Sequence, residues 1–119
     1  MKIAFVFRSP PHGTSVSREA LDALLAAAAF CDEREIGIFF IDDGVFNLLK
    51  GQKTDFILQK DFSRAFKLLD LYEIKQRFIC NDSLERLNLA EDQLIISVEK
   101  VPRFVLIEKL KQAQKILTF

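Results

Sequence analysis

The amino-acid sequence predicts a three-layer α/β/α protein in which a mostly parallel five-stranded sheet lies between helices. Two apolar runs, Ile3–Phe7 and, apart from Gly37, Ile36–Ile41, favour strands that are buried on both faces. Segments with helical spacing alternate with short strand candidates, and short connections of this kind are typical of a parallel sheet. A chain of 119 residues without a repeat or a linker is expected to form one domain, 1–119.

Five short segments are the predicted strands. Neighbouring residues of a strand face opposite sides of the sheet, so the adjacent Phe39 and Phe40 indicate two apolar faces. The predicted strands are Ile3–Phe7, Ile36–Ile41, Arg77–Cys80, Leu94–Val98 and Lys115–Phe119.

Four segments between the strands have helical spacing. In the first, Leu21, Leu24 and Leu25 recur on one face. Near the end of the last, Lys109 and Lys111 are placed favourably toward the negative end of the helix dipole. The predicted helices are Ser17–Phe30, Phe62–Leu71, Asp82–Leu89 and Phe104–Gln114.

Polar residues at the helix starts are the expected caps. Thr14, Ser15 or Ser17 is expected to cap the first helix, because short polar side chains accept hydrogen bonds from its first N–H groups. Asp82, with Glu85 three residues later, resembles a capping box for the third helix.

Composition and charge narrow the functional classes. Seventeen basic and seventeen acidic residues cancel, so no overall field draws the chain to nucleic acid, and no direct nucleic-acid binding is expected. Two cysteines far apart, without a Cys-x-x-Cys pair, suit a reducing compartment. No apolar run approaches the ~18 residues of a membrane span, and the start is too short for a signal-peptide core. A cytoplasmic protein without a membrane segment is expected.

Cys80 is the candidate catalytic residue. It ends a predicted strand just before a predicted helix, and ligands of open parallel sheets gather at such strand ends. The positive end of a helix dipole favours the reactive thiolate, whereas the nearby carboxylate of Asp82 opposes it. A buried cysteine that packs as a small hydrophobic residue is the alternative interpretation. Both interpretations remain open from position alone.

The other residues of possible chemical interest are weaker candidates. Cys31 precedes Asp32 and Glu33, which disfavour its thiolate, so we expect it to be inert. His12 is the only histidine and has no cysteine or histidine near it in sequence, so no metal site is predicted.

The loop Arg8–Thr14 is a possible anion-binding site because it leads into a helix N-terminus. It lacks the glycine spacing and the lysine of a P-loop, so the signal is weak. A flavodoxin-like module that holds a nucleotide or a flavin in this loop is one alternative function.

The segment that follows the second predicted strand is apolar on nearly all sides. Asp42 or Asp43 is expected to cap a short helix here. So short a helix cannot bury its whole apolar circumference against one core, and large exposed apolar patches mark interaction sites. Either a loop of this chain or another subunit covers the segment, and a protein interface is the favoured interpretation. The interface candidates are Val45, Phe46, Leu48 and Leu49.

Several stretches taken together resemble the DsrE/DsrF-like family, and within it the DsrF-like subunits of bacterial sulfur-relay complexes. The resemblance runs from Met1 to about Leu89, and the chain length and the terminal Ile116–Phe119 are consistent with it. The order and spacing of the motifs make the match specific. The motifs are Pro11–Thr14, Arg18–Ala26, Phe39–Phe46, Gly51–Lys53, Phe66–Tyr72 and Ile79–Cys80.

The resemblance implies assembly with two related subunits, TusB and TusD, in a heterohexamer that is a dimer of heterotrimers. Such a complex passes persulfide sulfur from TusA towards TusE for 2-thiolation of the wobble uridine of certain tRNAs. In the family the persulfide-carrying cysteine belongs to TusD. Cys80 falls at the equivalent strand end, but Asn81 and Asp82 stand where active DsrE-like subunits have small apolar residues.

The resemblance therefore favours an accessory, structural subunit of a sulfur-transfer assembly with no cofactor of its own. The enzymatic alternative is a sulfurtransferase that carries persulfide on Cys80 itself.

Overall fold

The computed structural model describes residues 1–10, 16–50 and 66–119. Within these ranges five strands form one sheet in the order β4-β3-β2-β1-β5, and every neighbouring pair is parallel. The predicted parallel sheet is confirmed. The strands are β1 Ile3–Phe7, β2 Ile36–Phe40, β3 Gln76–Cys80, β4 Glu99–Val101 and β5 Lys115–Thr118.

Helices connect the strands. The α-helices are α1 Val16–Phe30, α2 at 66–71, α3 Asn81–Arg86 and α4 Arg103–Lys111. Short 3-10 helices lie at Glu33–Glu35, Asp42–Leu48 and Glu91–Gln93. The predicted helices are confirmed to within a few residues, except that 62–65 of the second lie outside the described residues.

The connections divide the helices unequally between the two faces of the sheet. Buried residues of α1, α2 and α3 pack in one cluster with Phe5, Ile38 and Phe40; we call this side the helix-rich face. Leu106 of α4 packs in a separate cluster with Val6 and Phe39 from the opposite side, which we call the α4 face. Among the described residues, only the connection from β4 to β5 crosses the α4 face.

Aromatic rings fill the centre of the helix-rich face. Phe7 and Phe40 stack with ring centroids 5.1 Å apart, and Phe66 of α2 meets Phe7 edge-on at 5.6 Å. All three side chains are fully buried. Burying side chains of this size contributes most of the apolar area that stabilises a small domain.

The predicted strand Leu94–Val98 is wrong. The fourth strand is Glu99–Val101, and only a single antiparallel bridge between Leu49 and Leu94 involves the predicted segment. Leu94 and Ile96 are apolar because they pack into the helix-rich core from a bent connection.

The predicted caps also differ from the structure. Ser17 lies inside the first turn of α1, where its hydroxyl donates to the carbonyls of Ser9 and Pro10, whereas Thr14 and Ser15 lie outside the described residues. The N-cap of α3 is Cys80 rather than Asp82, and no side-chain bond caps this helix.

Candidate functional site

The carboxyl ends of β3 and β4 form the point where the chain changes sides of the sheet. These two strands are neighbours, yet β3 leads into α3 on the helix-rich face and β4 leads into α4 on the opposite face. Diverging connections of this kind open a crevice at the strand ends, where open α/β proteins place their ligands. We call this place the switch-point crevice.

Cys80 lies at the switch-point crevice as the last residue of β3. It is a free cysteine, pairs in register with Val101 of β4, and belongs to the same apolar cluster as Leu106 of α4. Its exposed fraction is 0%. The structure therefore places the thiol where sequence reasoning expected it, but closed off from solvent.

Asp42 connects the end of β2 to both neighbouring helices. Its backbone N–H donates to the buried Ser83 Oγ at 2.9 Å, and its Oδ1 accepts from Arg103 Nη1 at 3.0 Å. Arg86 Nη2 lies 3.9 Å from the same oxygen. Asp42 has φ 52, in the left-handed region that Asp tolerates better than most residues.

The expectation that Asp42 or Asp43 caps a helix is wrong. The cap position of the 3-10 helix is Ile41, and no side-chain bond caps it. The Asp42 carboxylate instead contacts Arg103 and Arg86. A hydrogen bond between two charged groups, such as the bond to Arg103, is stronger than one between neutral groups.

Arg103 is the cation of this cluster. Its hydrogen bond to Asp42 raises its pKa above the ordinary arginine value, and the charges of Asp42, Cys80 and Asp82 act in the same direction. The backbone N–H of Arg103 also donates to Asp82 Oδ1 at 3.1 Å.

The predicted capping pair of Asp82 and Glu85 is replaced by two other contacts. Asp82 accepts the hydrogen bond from Arg103, whereas Glu85 Oε1 accepts from the side chain of Asn81 at 3.2 Å. The carboxylate expected to act against the Cys80 thiolate is therefore engaged with the start of α4.

Sequence reasoning missed Arg103, Arg86 and Ser83. Placing the fourth strand at Leu94–Val98 left Arg103 five residues beyond a strand end, whereas it lies two residues beyond the real one at Val101. Charged residues that follow adjacent parallel strands meet at one edge, and this rule identifies Arg103 once β4 is placed correctly.

The four interface candidates separate into two rows. Residues three apart eclipse in a 3-10 helix, so Val45 and Leu48 share one side and Phe46 and Leu49 another. Val45 and Leu48 are fully buried in the core of the helix-rich face, so they need no second subunit to cover them. Phe46 and Leu49 are half-buried.

The third row of the same 3-10 helix holds it against β1. A Cβ at Gly44 would overlap the Phe7 carbonyl, so only glycine permits this approach. Asn47 Nδ2 donates to the carbonyls of Ser9, at 2.9 Å, and Gly44, at 2.8 Å.

The remaining candidates lie elsewhere. Cys31 is half-buried beyond the end of α1, and its inertness stays a prediction. In the loop Arg8–Thr14, only 8–10 are described, so His12 lies outside the described residues.

Among residues 1–10, 16–50 and 66–119, no group of His, Cys, Asp and Glu converges as a metal site. No helix in those ranges has the length and apolar character to cross a membrane.

A parallel five-stranded sheet with helices on both faces defines an open α/β protein, and a cysteine ends one of the two strands at its switch point. The model of the DsrE/DsrF-like family matches residues 1–119, and the chain belongs to this family.

Relatives match this chain over most or all of its length. It is 61% identical over 119 residues to a Protein TusC homolog of Haemophilus influenzae, with 100% of both chains covered. It is 55% identical over 119 residues, again with 100% of both chains covered, to a Protein TusC homolog of Pasteurella multocida. Identity to Protein TusC of Escherichia coli O157:H7 is 52% over 101 residues, which cover 85% of this chain and 82% of the relative.

Solved structures share the fold at lower identity. The ychN protein of E. coli superposes with a TM-score of 0.79 at 21% identity, covering 100% of this chain and 99% of the other. A conserved protein of unknown function, BT1422 from Bacteroides thetaiotaomicron, gives 0.68 at 17% identity, covering 99% and 94%.

Proposed function

We propose that this chain is an accessory subunit of a cytoplasmic sulfur-relay complex that serves 2-thiolation of the wobble uridine in tRNA. The observation that carries the proposal is the 61% identity over all 119 residues to a Protein TusC homolog. In this proposal persulfide sulfur passes through the complex from TusA towards TusE, and the chain supplies surfaces rather than the sulfur-carrying thiol.

The burial of Cys80 supports the accessory role over the alternative of a sulfurtransferase. Transfer of persulfide sulfur requires one sulfur atom to attack another directly, so both must be accessible. A thiol with an exposed fraction of 0% cannot meet a partner's persulfide without movement of the helices around it.

The proposed partners are TusB and TusD, in a heterohexamer that is a dimer of heterotrimers. The candidate contact surface is the row formed by Phe46 of the Asp42–Leu48 helix and Leu49, the C-cap of that helix. Phe46 and Leu49 present apolar side chains there that the chain leaves half-buried. Because Gly44 and Asn47 fix the helix on β1, this surface is held rigidly.

Substitution of Phe46 by Asp tests the proposed surface. A carboxylate in an apolar contact loses its hydration without a partner, so we expect Phe46→Asp to abolish association with TusB and TusD while the chain stays folded. Native mass spectrometry of the co-expressed subunits measures assembly, and circular dichroism of the isolated chain measures folding.

Phe30→Asp is the matched control, because Phe30 is 91% exposed at the end of α1. We expect this variant to assemble normally. Unchanged assembly of Phe46→Asp contradicts the proposed surface, and unfolding of the isolated variant assigns Phe46 to the core instead.

The proposed pathway is tested in cells that lack the chain. We expect their tRNA to lose wobble 2-thiouridine, measured by mass spectrometry of tRNA nucleosides, and a plasmid copy to restore it. Normal 2-thiouridine in the deletion strain contradicts the proposed function.

A further inference from the structure

One residue, Arg103, joins three elements around the switch-point crevice. Arg103 opens α4, its Nη1 donates to Asp42 after β2, and its backbone N–H donates to Asp82 in α3. These residues lie up to 61 positions apart in the chain. The contacts therefore hold the start of α4 against α3 and the end of β2.

Cys80 lies between the elements that Arg103 joins. It is the N-cap of α3, and it packs with Leu106 of α4 on the opposite face of the sheet. Movement of α4 away from the sheet would therefore expose the thiol.

The ion pair between Asp42 and Arg103 is a weak contact. The side chains of Arg103 and Asp42 are 49% and 25% exposed, and ion pairs this accessible to water contribute little stability.

We propose that the Asp42–Arg103 ion pair is a latch that holds the start of α4 against the end of β2 and closes the switch-point crevice over Cys80. Release of this pair uncovers the thiol without unfolding the sheet.

The rate at which Cys80 is alkylated in the purified chain measures how often the latch opens. Asp42→Asn removes the charge of the pair but keeps the side-chain shape, the tolerance of positive φ and the backbone donor to Ser83. N-ethylmaleimide is uncharged, and peptide mass spectrometry follows each cysteine separately. We expect Cys80 to react roughly two to five times faster in Asp42→Asn, as loss of a partly exposed ion pair allows.

Two controls separate the latch from general destabilisation. Cys31 lies outside the cluster, so we expect its rate to stay unchanged. Arg34→Gln removes the ion pair of Arg34 with Asp32, whose side chains are 84% and 36% exposed, before β2 and so at the opposite end of the strand from the crevice, and we expect no change at Cys80.

Salt gives a second measurement on the unmodified chain. At about 1 M salt the screening length falls to ~3 Å, so Cys80 is expected to react faster in the wild-type chain but not in Asp42→Asn. The latch is overturned by an Asp42→Asn rate equal to that of the wild-type chain. It is also overturned by equal acceleration of Cys80 and Cys31, or by acceleration in Arg34→Gln.

Discussion

The two faces of the sheet are covered very differently. On the helix-rich face, α1, α2 and α3 bury a stack of three phenylalanines, Phe7, Phe40 and Phe66. On the α4 face, a single helix of nine residues crosses strands whose inward side chains are as small as Ala4 and Val6.

Apolar side chains are exposed on the α4 face, as Phe30 of α1 and Leu71 of α2 also are. Phe104 of α4 is 73% exposed and Ile116 of β5 is 46% exposed. A lysine covers part of the remaining surface, because Lys109 Nζ lies 4.7 Å from the centroid of the Phe78 ring.

The two faces of the sheet therefore differ in how much movement they allow. A densely packed face tolerates little movement, since interiors pack like organic crystals. Cys80 and Leu106 pack on the thinly covered α4 face, and Arg103 starts the single helix that crosses it. An element held by few contacts is the one that can move, so the thin face is where conformational change is expected.

Truncating a phenylalanine of the stack gives the largest expected effect and tests the comparison directly. We expect Phe40→Ala to lower the free energy of unfolding by ~3–5 kcal/mol, because it leaves a cavity among rigid neighbours. Urea denaturation of the purified chain measures this.

Phe104→Ala is the matched truncation on the α4 face. Its ring is mostly in water, so we expect a change within about 0.5 kcal/mol. Similar losses for the two variants would contradict the assignment of stability to the helix-rich face.

The smallest expected effect comes from an ion pair in neither core. Two side-chain bonds from Arg34 to Asp32, at 2.9 and 3.1 Å, and a third from the Arg34 backbone N–H, at 2.9 Å, lower the pKa of Asp32 from 3.8 to about 2. A lowered folded-state pKa means that the stabilisation is fully present above pH 3.8 and is lost as the pH falls toward about 2.

We therefore expect Arg34→Gln to bring the pKa of Asp32 back toward its ordinary value, as followed by NMR titration of the carboxyl carbon. Because both side chains are solvated, the change in unfolding free energy should be small. A large loss of stability at neutral pH would show that this exposed pair matters to the fold.

The sequence predicted four of the five strands to within one residue, including the edge strand β5. β1, β2 and β3 agree with the predicted segments within one residue, because strands covered on both faces must be apolar throughout. β4 was misplaced because it has only three residues, of which Glu99 and Lys100 are exposed, so no apolar run marks it.

The candidate site was predicted only in part. The position of Cys80 at a strand end follows from local pattern, since β3 is recognisable and α3 follows at once. Its complete burial depends on Leu106, and the latch depends on Arg103, which pack there through tertiary contacts that no local periodicity encodes. The sequence also did not predict which residues of the Asp42–Leu48 helix share a side, because that depends on its 3-10 geometry.

We propose that the chain serves sulfur relay through its surfaces and not through the Cys80 thiol. The most direct test compares wobble 2-thiouridine in tRNA from cells carrying Cys80→Ser with that from cells lacking the chain. We expect Cys80→Ser to retain nearly normal 2-thiouridine and the deletion to lose it. An equal loss in both strains, with the variant present at wild-type level, would make Cys80 a sulfur carrier and contradict the account.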